Sequence, residues 1–205
     1  VGLATFWGVT VAGQQLAAEF AFRDAMENDD RRWLPGTDEE TTKKLFADEA
    51  ARNGKFAYTI VQATGGGIGL LLFGPLCHWL GRRRAFIAAH LAGLAIVPIT
   101  CFVPQTYTQL LLILPFYGAF TFGMHAGYAV YFPELFPARL RALGASLCFN
   151  GGRLLAAVMV PLAGYIKQLP GMQLTTALPL LSLTYLLGLV VIIFLPETKG
   201  QPLPE

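Results

Sequence analysis

Several polar side chains stand inside apolar runs, where hydration alone does not account for them. Arg153 and Asn150 lie one helical turn apart in FNGGR, His125 sits between Gly123 and Gly127, and Gln14 and Gln15 interrupt VGLATFWGVTVAGQQLAA. Arg153 is 12 residues beyond Arg141 and 14 before Lys167, so at about 1.5 Å per residue it is roughly 18 to 21 Å from either cation, near the middle of a membrane-crossing helix. A cation at that depth costs about 2.5 to 3.5 kcal/mol on insertion scales, so it is expected to face protein or a watery cavity, or to be tied to carbonyls or to an acid elsewhere in the bundle. His125, whose unperturbed pKa is about 6.5, can relay a proton or act as a packing hydrogen-bonder. The glutamine pair either lines a path or faces headgroups at a helix end. No paired carboxylates, nucleophile with a base, or metal-ligand set occurs in the apolar runs, so no enzyme, metal or cofactor is expected.

A second group of residues marks the ends of these runs. The stretch YFPELFPARLRALG, from Tyr131 to Gly144, contains Glu134, Pro137, Arg141 and Gly144 as E-x-x-P-x-x-x-R-x-x-G. Pro133 and Pro137 favour an interruption of the helix, since each lacks an amide donor and restricts the residue before it. Near the end of the chain stands Pro196-Glu197-Thr198-Lys199-Gly200, and Gly74 to Arg84 reads GPLCHWLGRRR.

These motifs resemble the sugar-porter and metabolite:proton symporter branch of the major facilitator superfamily. The resemblance implies a carboxyl-terminal half of such a transporter: all-α, six transmembrane helices, half of a twelve-helix fold. It also implies a cytoplasmic gating network of Glu134, Arg139, Arg141, Glu197, Arg82 and Arg83. Gln14, Gln15 and Leu16 are similar to a family sequence whose amides meet substrate hydroxyls, although Ala17, Ala18, Glu19 and Phe20 then depart from the family pattern. FNGGR resembles the helix in which an arginine serves organic-acid symporters as counter-ion to a carboxylate, which gives Arg153 and Asn150 a substrate-facing role. In the GPLCHWLGRRR loop, His78 stands where the superfamily has an acid.

The bulk properties point the same way. Of 205 residues, 54% are hydrophobic and only 14% charged, against about 25% charged in soluble domains, and this places the chain among polytopic membrane proteins. No basic tract or zinc-like cysteine spacing suggests nucleic acid. Cys77, Cys101 and Cys148 all fall in apolar segments and read as small buried hydrophobes rather than a disulfide framework. The chain starts at Val1 with no cleavable signal, and is expected to be a fragment whose partner is an amino-terminal six-helix half.

The elements that must position these residues follow in order. Residues 1–18 form a first transmembrane helix. Residues 19–56 hold ten acids and seven bases and lie outside the bilayer, with a short surface helix over 38–53, opened by a Thr37–Glu40 capping box and terminated at Gly54. The acidic clusters Asp29–Asp30 and Asp38–Glu40 read as solvated faces. Five transmembrane helices occupy 57–195, with Gly65/Gly69 and Gly123/Gly127 as small-residue pairs for close packing, and 196–205 is a cytoplasmic tail. The short loops with Arg82–Arg84, Arg139/Arg141 and Lys199 alternate with loops poor in bases, which puts both ends in the cytoplasm of a multi-pass protein of the cell (inner) membrane. The function expected is proton-coupled transport of a small polar metabolite, a sugar or an organic acid, by alternating access. A truncated or non-transporting receptor-like protein is the alternative.

Overall fold

A computed structural model describes residues 2–28 and 39–205 as a bundle of helices, with no strand among them. The elements are α1 (Gly2–Asn28), α2 (Glu39–Phe56), a π-helical turn (Ala57–Gln62), α3 (Ala63–Leu80), α4 (Arg82–Phe102), α5 (Tyr107–Phe122), α6 (His125–Glu134), α7 (Arg141–Lys167), α8 (Leu174–Ser182) and α9 (Thr184–Phe194). Among the described residues, five helical stretches are long and apolar enough to cross a membrane: Glu39–Leu80, Arg82–Phe102, Tyr107–Glu134, Arg141–Ile166 and Leu174–Phe194. Such spans must be helical, because hydrocarbon offers no partner for backbone N–H and C=O groups.

Several boundaries differ from those read from sequence. The first helix runs on past residue 18 to Asn28, because Phe20 and Ala21 of its polar continuation are buried and α1 packs along α2. The surface helix does not stop at Gly54. It continues through the π-helical turn into α3 as one helical stretch of 42 residues, Glu39–Leu80. Gly54 is needed for contact instead: a Cβ there would lie 2.7 Å from the Gln14 carbonyl. Thr37, Asp38 and the Asp29–Asp30 pair lie outside the described residues. Pro133 sits in the last turn of α6, and the interruption expected from Pro133 and Pro137 follows it directly, between Glu134 and Arg141; further breaks fall at Gly123–Met124, between α5 and α6, and at Leu183, between α8 and α9.

The closest packing joins α3 to α5. A Cβ on Gly65 would lie 1.9 Å from the Pro115 carbonyl oxygen, one on Gly69 2.5 Å from that of Ala119, and one on Gly118 2.0 Å from that of Gln62. Glycines on both helices thus let backbone lie on backbone, the small-residue contact that membrane helices use where lipid supplies no hydrophobic drive. The rest of the interior is aromatic and aliphatic. Tyr58, Tyr117, Leu110 and Leu114 fill one cluster, while Phe73, Phe86, Met124, Tyr131 and Tyr185 fill another. Cys77 and Cys101 are buried free thiols and Cys148 is half-buried.

Gly65→Ala is expected to destabilise the bundle by about 1 to 3 kcal/mol through overpacking. Gly67→Ala, where a Cβ meets nothing within 4 Å, serves as the control; thermal unfolding in detergent distinguishes the two, and equal midpoints would contradict the contact.

Candidate functional site

The most highly connected polar site forms where α3 turns into α4. Gly81 is the only residue between the two helices and has φ +93°, a conformation glycine adopts without the cost a side chain brings. The turn leaves the first amides of α4 without helical partners. Glu197, 115 residues on, supplies them: the Arg82 amide donates to its Oε1 at 2.9 Å and the Arg83 amide to Oε2 at 3.1 Å, with Lys199 N donating to Oε1 at 3.0 Å. A carboxylate at a helix N-terminus is favoured both by these bonds and by the helix dipole. Partial burial pushes the Glu197 carboxyl up, but the amides of Lys199, Arg82, Arg83 and Thr198 outweigh that and hold it below its ordinary value of 4.5. A Cβ at Gly81 would lie 2.6 Å from Oε2, so the positive φ and the carboxylate both require glycine there.

The Arg82 side chain turns the other way. Its Nε donates to Glu134 Oε2 at 3.0 Å and a terminal guanidinium nitrogen to Oε1 at 2.7 Å, a two-pronged ion pair with both side chains less than a fifth exposed. The planar guanidinium matches the carboxylate fork in a way an ammonium does not. Thr198 Oγ1 also donates to Glu134 Oε2, and the Tyr131 hydroxyl donates to the Pro196 carbonyl. Lys199 Nζ reaches the Trp79 carbonyl at 2.9 Å, and Arg141 donates to the Pro204 carbonyl at 3.0 Å. Segment 196–204 therefore ties together the end of α3, the start of α4, the end of α6 and the start of α7.

This arrangement revises the network read from sequence. Glu134, Glu197, Arg82 and Arg83 do meet, the last through its amide. Arg141 pairs with neither acid, because the tail carbonyl occupies its guanidinium, and its Nε is buried with no partner among the described residues. Arg139 is exposed in the turn before α7 and joins no ion pair among the described residues. The pairing of Glu134 with Arg82 was missed from sequence. Its signal was present in the two motifs, but spacing does not say which cation reaches which acid.

The residues assigned to a substrate path are more dispersed. His125 opens α6 directly after the helix break, where the freed Phe122 carbonyl faces its Nδ1 at 2.9 Å. A carbonyl only accepts, so Nδ1 carries the proton and Nε2 is left as a bare acceptor, buried without a partner among the described residues. Phe6, Phe122 and Tyr128 ring it, with centroids 4.8 to 5.6 Å away. Asn150 and Arg153 are exposed on α7, not turned into the interior of this bundle. Asn150 donates back to the Ser146 carbonyl at 2.9 Å, and the Arg153 guanidinium lies 4.9 Å from the Phe149 ring centre. They are exposed because α7 is an outlying helix, with Leu147 and Leu154 more than two-thirds exposed. Gln14 is half-buried where α1 meets Gly54, and Gln15 is exposed. No bond or ring contact joins any two of Gln14, His125, Asn150 and Arg153 among the described residues. His78 is exposed.

If Glu197 is a cap, Glu197→Ala should lower stability by about 1 kcal/mol at neutral pH, the usual loss for a helix cap. Because folding lowers the Glu197 pKa, its contribution is complete above the ordinary carboxyl value and is lost as pH falls through the folded one. Melting curves of wild type and variant should differ at pH 7 and converge in acid. A gap that stays undiminished as pH falls until the carboxyl is protonated in the folded state would contradict the assignment.

A family model described as "Sugar (and other) transporter" matches residues 92–205. A putative metabolite transport protein of Haemophilus influenzae is 30% identical over 148 residues, which are 71% of this chain and 35% of that protein. Organic cation transporter 1 of Caenorhabditis elegans is 34% identical over 143 residues, and human solute carrier family 22 member 11 is 35% identical over 138. Those alignments cover 66% and 63% of this chain and 23% of each relative. The chain thus spans between about a quarter and a third of the length of the relatives it matches. With the family match extending over more than half of its residues and running through both the Glu134–Gly144 and PETKG motifs, the chain belongs to the sugar (and other) transporter family of the major facilitator superfamily.

Proposed function

We propose that the chain supplies one half of a proton-coupled secondary transporter for a small polar metabolite, a sugar or an organic acid, working by alternating access against an amino-terminal six-helix half. The observation that carries this reading is the Arg82–Glu134 ion pair, laced to the tail through Thr198 and Glu197. It joins elements that must separate if this end of the bundle is to open. With the basic loops on the cytoplasmic side, the pair is a lock on the cytoplasmic gate: made, it holds the outward-facing state; broken, it frees α4 and α6 to part.

The outlying face of α7, with Leu143, Leu147, Leu154 and Val158 exposed, is the seat for the other half. Arg153 then lies between the halves at mid-depth. The planar guanidinium, which matches a carboxylate fork, and the likeness of FNGGR to the organic-acid symporter helix support an anionic group on the substrate, and an organic acid over a sugar. The bare Nε2 of His125 is the proton acceptor within this half.

In the complete transporter, Arg82→Ala and Glu134→Gln should each lower uptake and raise labelling of thiols placed on the cytoplasmic face, while Arg139→Ala changes neither. Unchanged uptake and labelling in the first two would remove the lock. Arg153→Lys should preserve neutral-sugar uptake and cut carboxylate uptake about tenfold, since an ammonium cannot reproduce the guanidinium fork. Equal loss of both substrates would exclude the counter-ion role.

A further inference from the structure

The seam between α3 and α4 carries two cavities in line. Beside the capped turn is a pocket of about 620 Å³, lined by Trp79, Leu80, Arg83, Arg84, Glu197 and Lys199. Its one carboxylate is already taken up by the amides of α4 and Lys199. No acid among the described residues pairs with the side chain of Arg83 or Arg84, and Lys199 has given one of its three donors to the Trp79 carbonyl. The pocket is therefore a cationic cup with an indole, 78% exposed, on its rim. Farther along the same helices is an apolar groove of about 320 Å³, whose lining includes Leu72, Leu76, Ala88 and Ala92.

Residues four apart share a face of a helix. Leu80, Leu76 and Leu72 form one such row on α3, and Arg84, Ala88 and Ala92 form one on α4. The cup and the groove thus lie along a single line of about 12 Å. Because α3 and α4 belong to candidate spans that end at this turn, the cup lies at the membrane surface and the groove in the hydrocarbon.

We propose that this seam binds an anionic phospholipid, with its phosphate in the cup against Arg83, Arg84 and Lys199 and one acyl chain in the alanine-lined groove. Free phosphate would satisfy only the cup, and a zwitterionic lipid leaves the net positive charge of the cup uncompensated. Trp79 fits the rim, where amphipathic rings prefer the headgroup level.

The test uses the full chain in phosphatidylcholine nanodiscs, with Trp7 and Trp33 replaced by Phe so that Trp79 alone fluoresces. A minor fraction of phosphatidylglycerol, brominated high on the acyl chain, should quench Trp79 several-fold more than the same fraction of brominated phosphatidylcholine. The preference should fall about fivefold for each charge removed in Arg83→Gln, Arg84→Gln and Lys199→Gln, and should survive Arg84→Lys. Ala88→Phe with Ala92→Phe, which fills the groove and leaves the charges in place, should also reduce quenching. Equal quenching by the two lipids, or a preference untouched by the three charge removals, would overturn the proposal. Loss of the preference on adding inorganic phosphate at constant ionic strength would show a phosphate cup rather than a lipid site. Quenching unaffected by the two phenylalanines would remove the acyl chain from the groove.

Discussion

At the N-terminus of α4, backbone amides that the helix cannot satisfy converge on one carboxylate from the far end of the chain. The order of the whole α3–α4 end follows from this need. Gly81 must be glycine so that the chain can reverse and the carboxylate can approach. Once Glu197 is fixed, its neighbours are fixed too: Pro196 under Tyr131, Thr198 on Glu134 and Lys199 on Trp79. A short tail with no regular structure thereby acquires a defined path across four helices. The energy resides in charge-assisted bonds at a surface where water competes.

The interior is held by a different force. Backbone-on-backbone contact between α3 and α5 leaves no room for a methyl group at Gly65 or Gly118, and dispersion between closely matched surfaces takes the place of a hydrophobic drive. The helix irregularities lie close to this contact. The π-helical turn precedes α3, and the Gly123–Met124 break follows α5. Tight packing and irregular backbone thus meet in one layer, where a freed carbonyl at Phe122 finds the imidazole of His125.

Much of the fold was legible because hydrophobic runs of membrane length leave few alternatives: the last four candidate spans begin and end within a few residues of the charged or proline-bearing turns. What sequence left hidden has a common physical cause. Gly54 reads as a helix terminator by propensity, but the contact with α1 decides its role. Glu19 reads as the end of a span, yet the helix continues because neighbours cover one face of it, with Ala21 beside α2 and Phe20 in the core cluster that includes Leu174. The charges of the motif were visible one by one. Their pairing depended on the turn at Gly81, which aims Arg82 at Glu134 and leaves Arg141 to the tail. Arg153 was legible as a mid-span cation, but its exposure on α7 depends on how few neighbours that helix has.

The continuous helical stretch Glu39–Leu80, with its π-helical turn at Ala57–Gln62, has a geometric corollary. Its 42 residues measure about 63 Å, roughly twice the hydrocarbon thickness of a bilayer. One end carries the turn that Glu197 caps, and the other packs against α1. Length alone thus puts part of this stretch outside the hydrocarbon, and the packing of α2 along α1 continues beyond the bilayer.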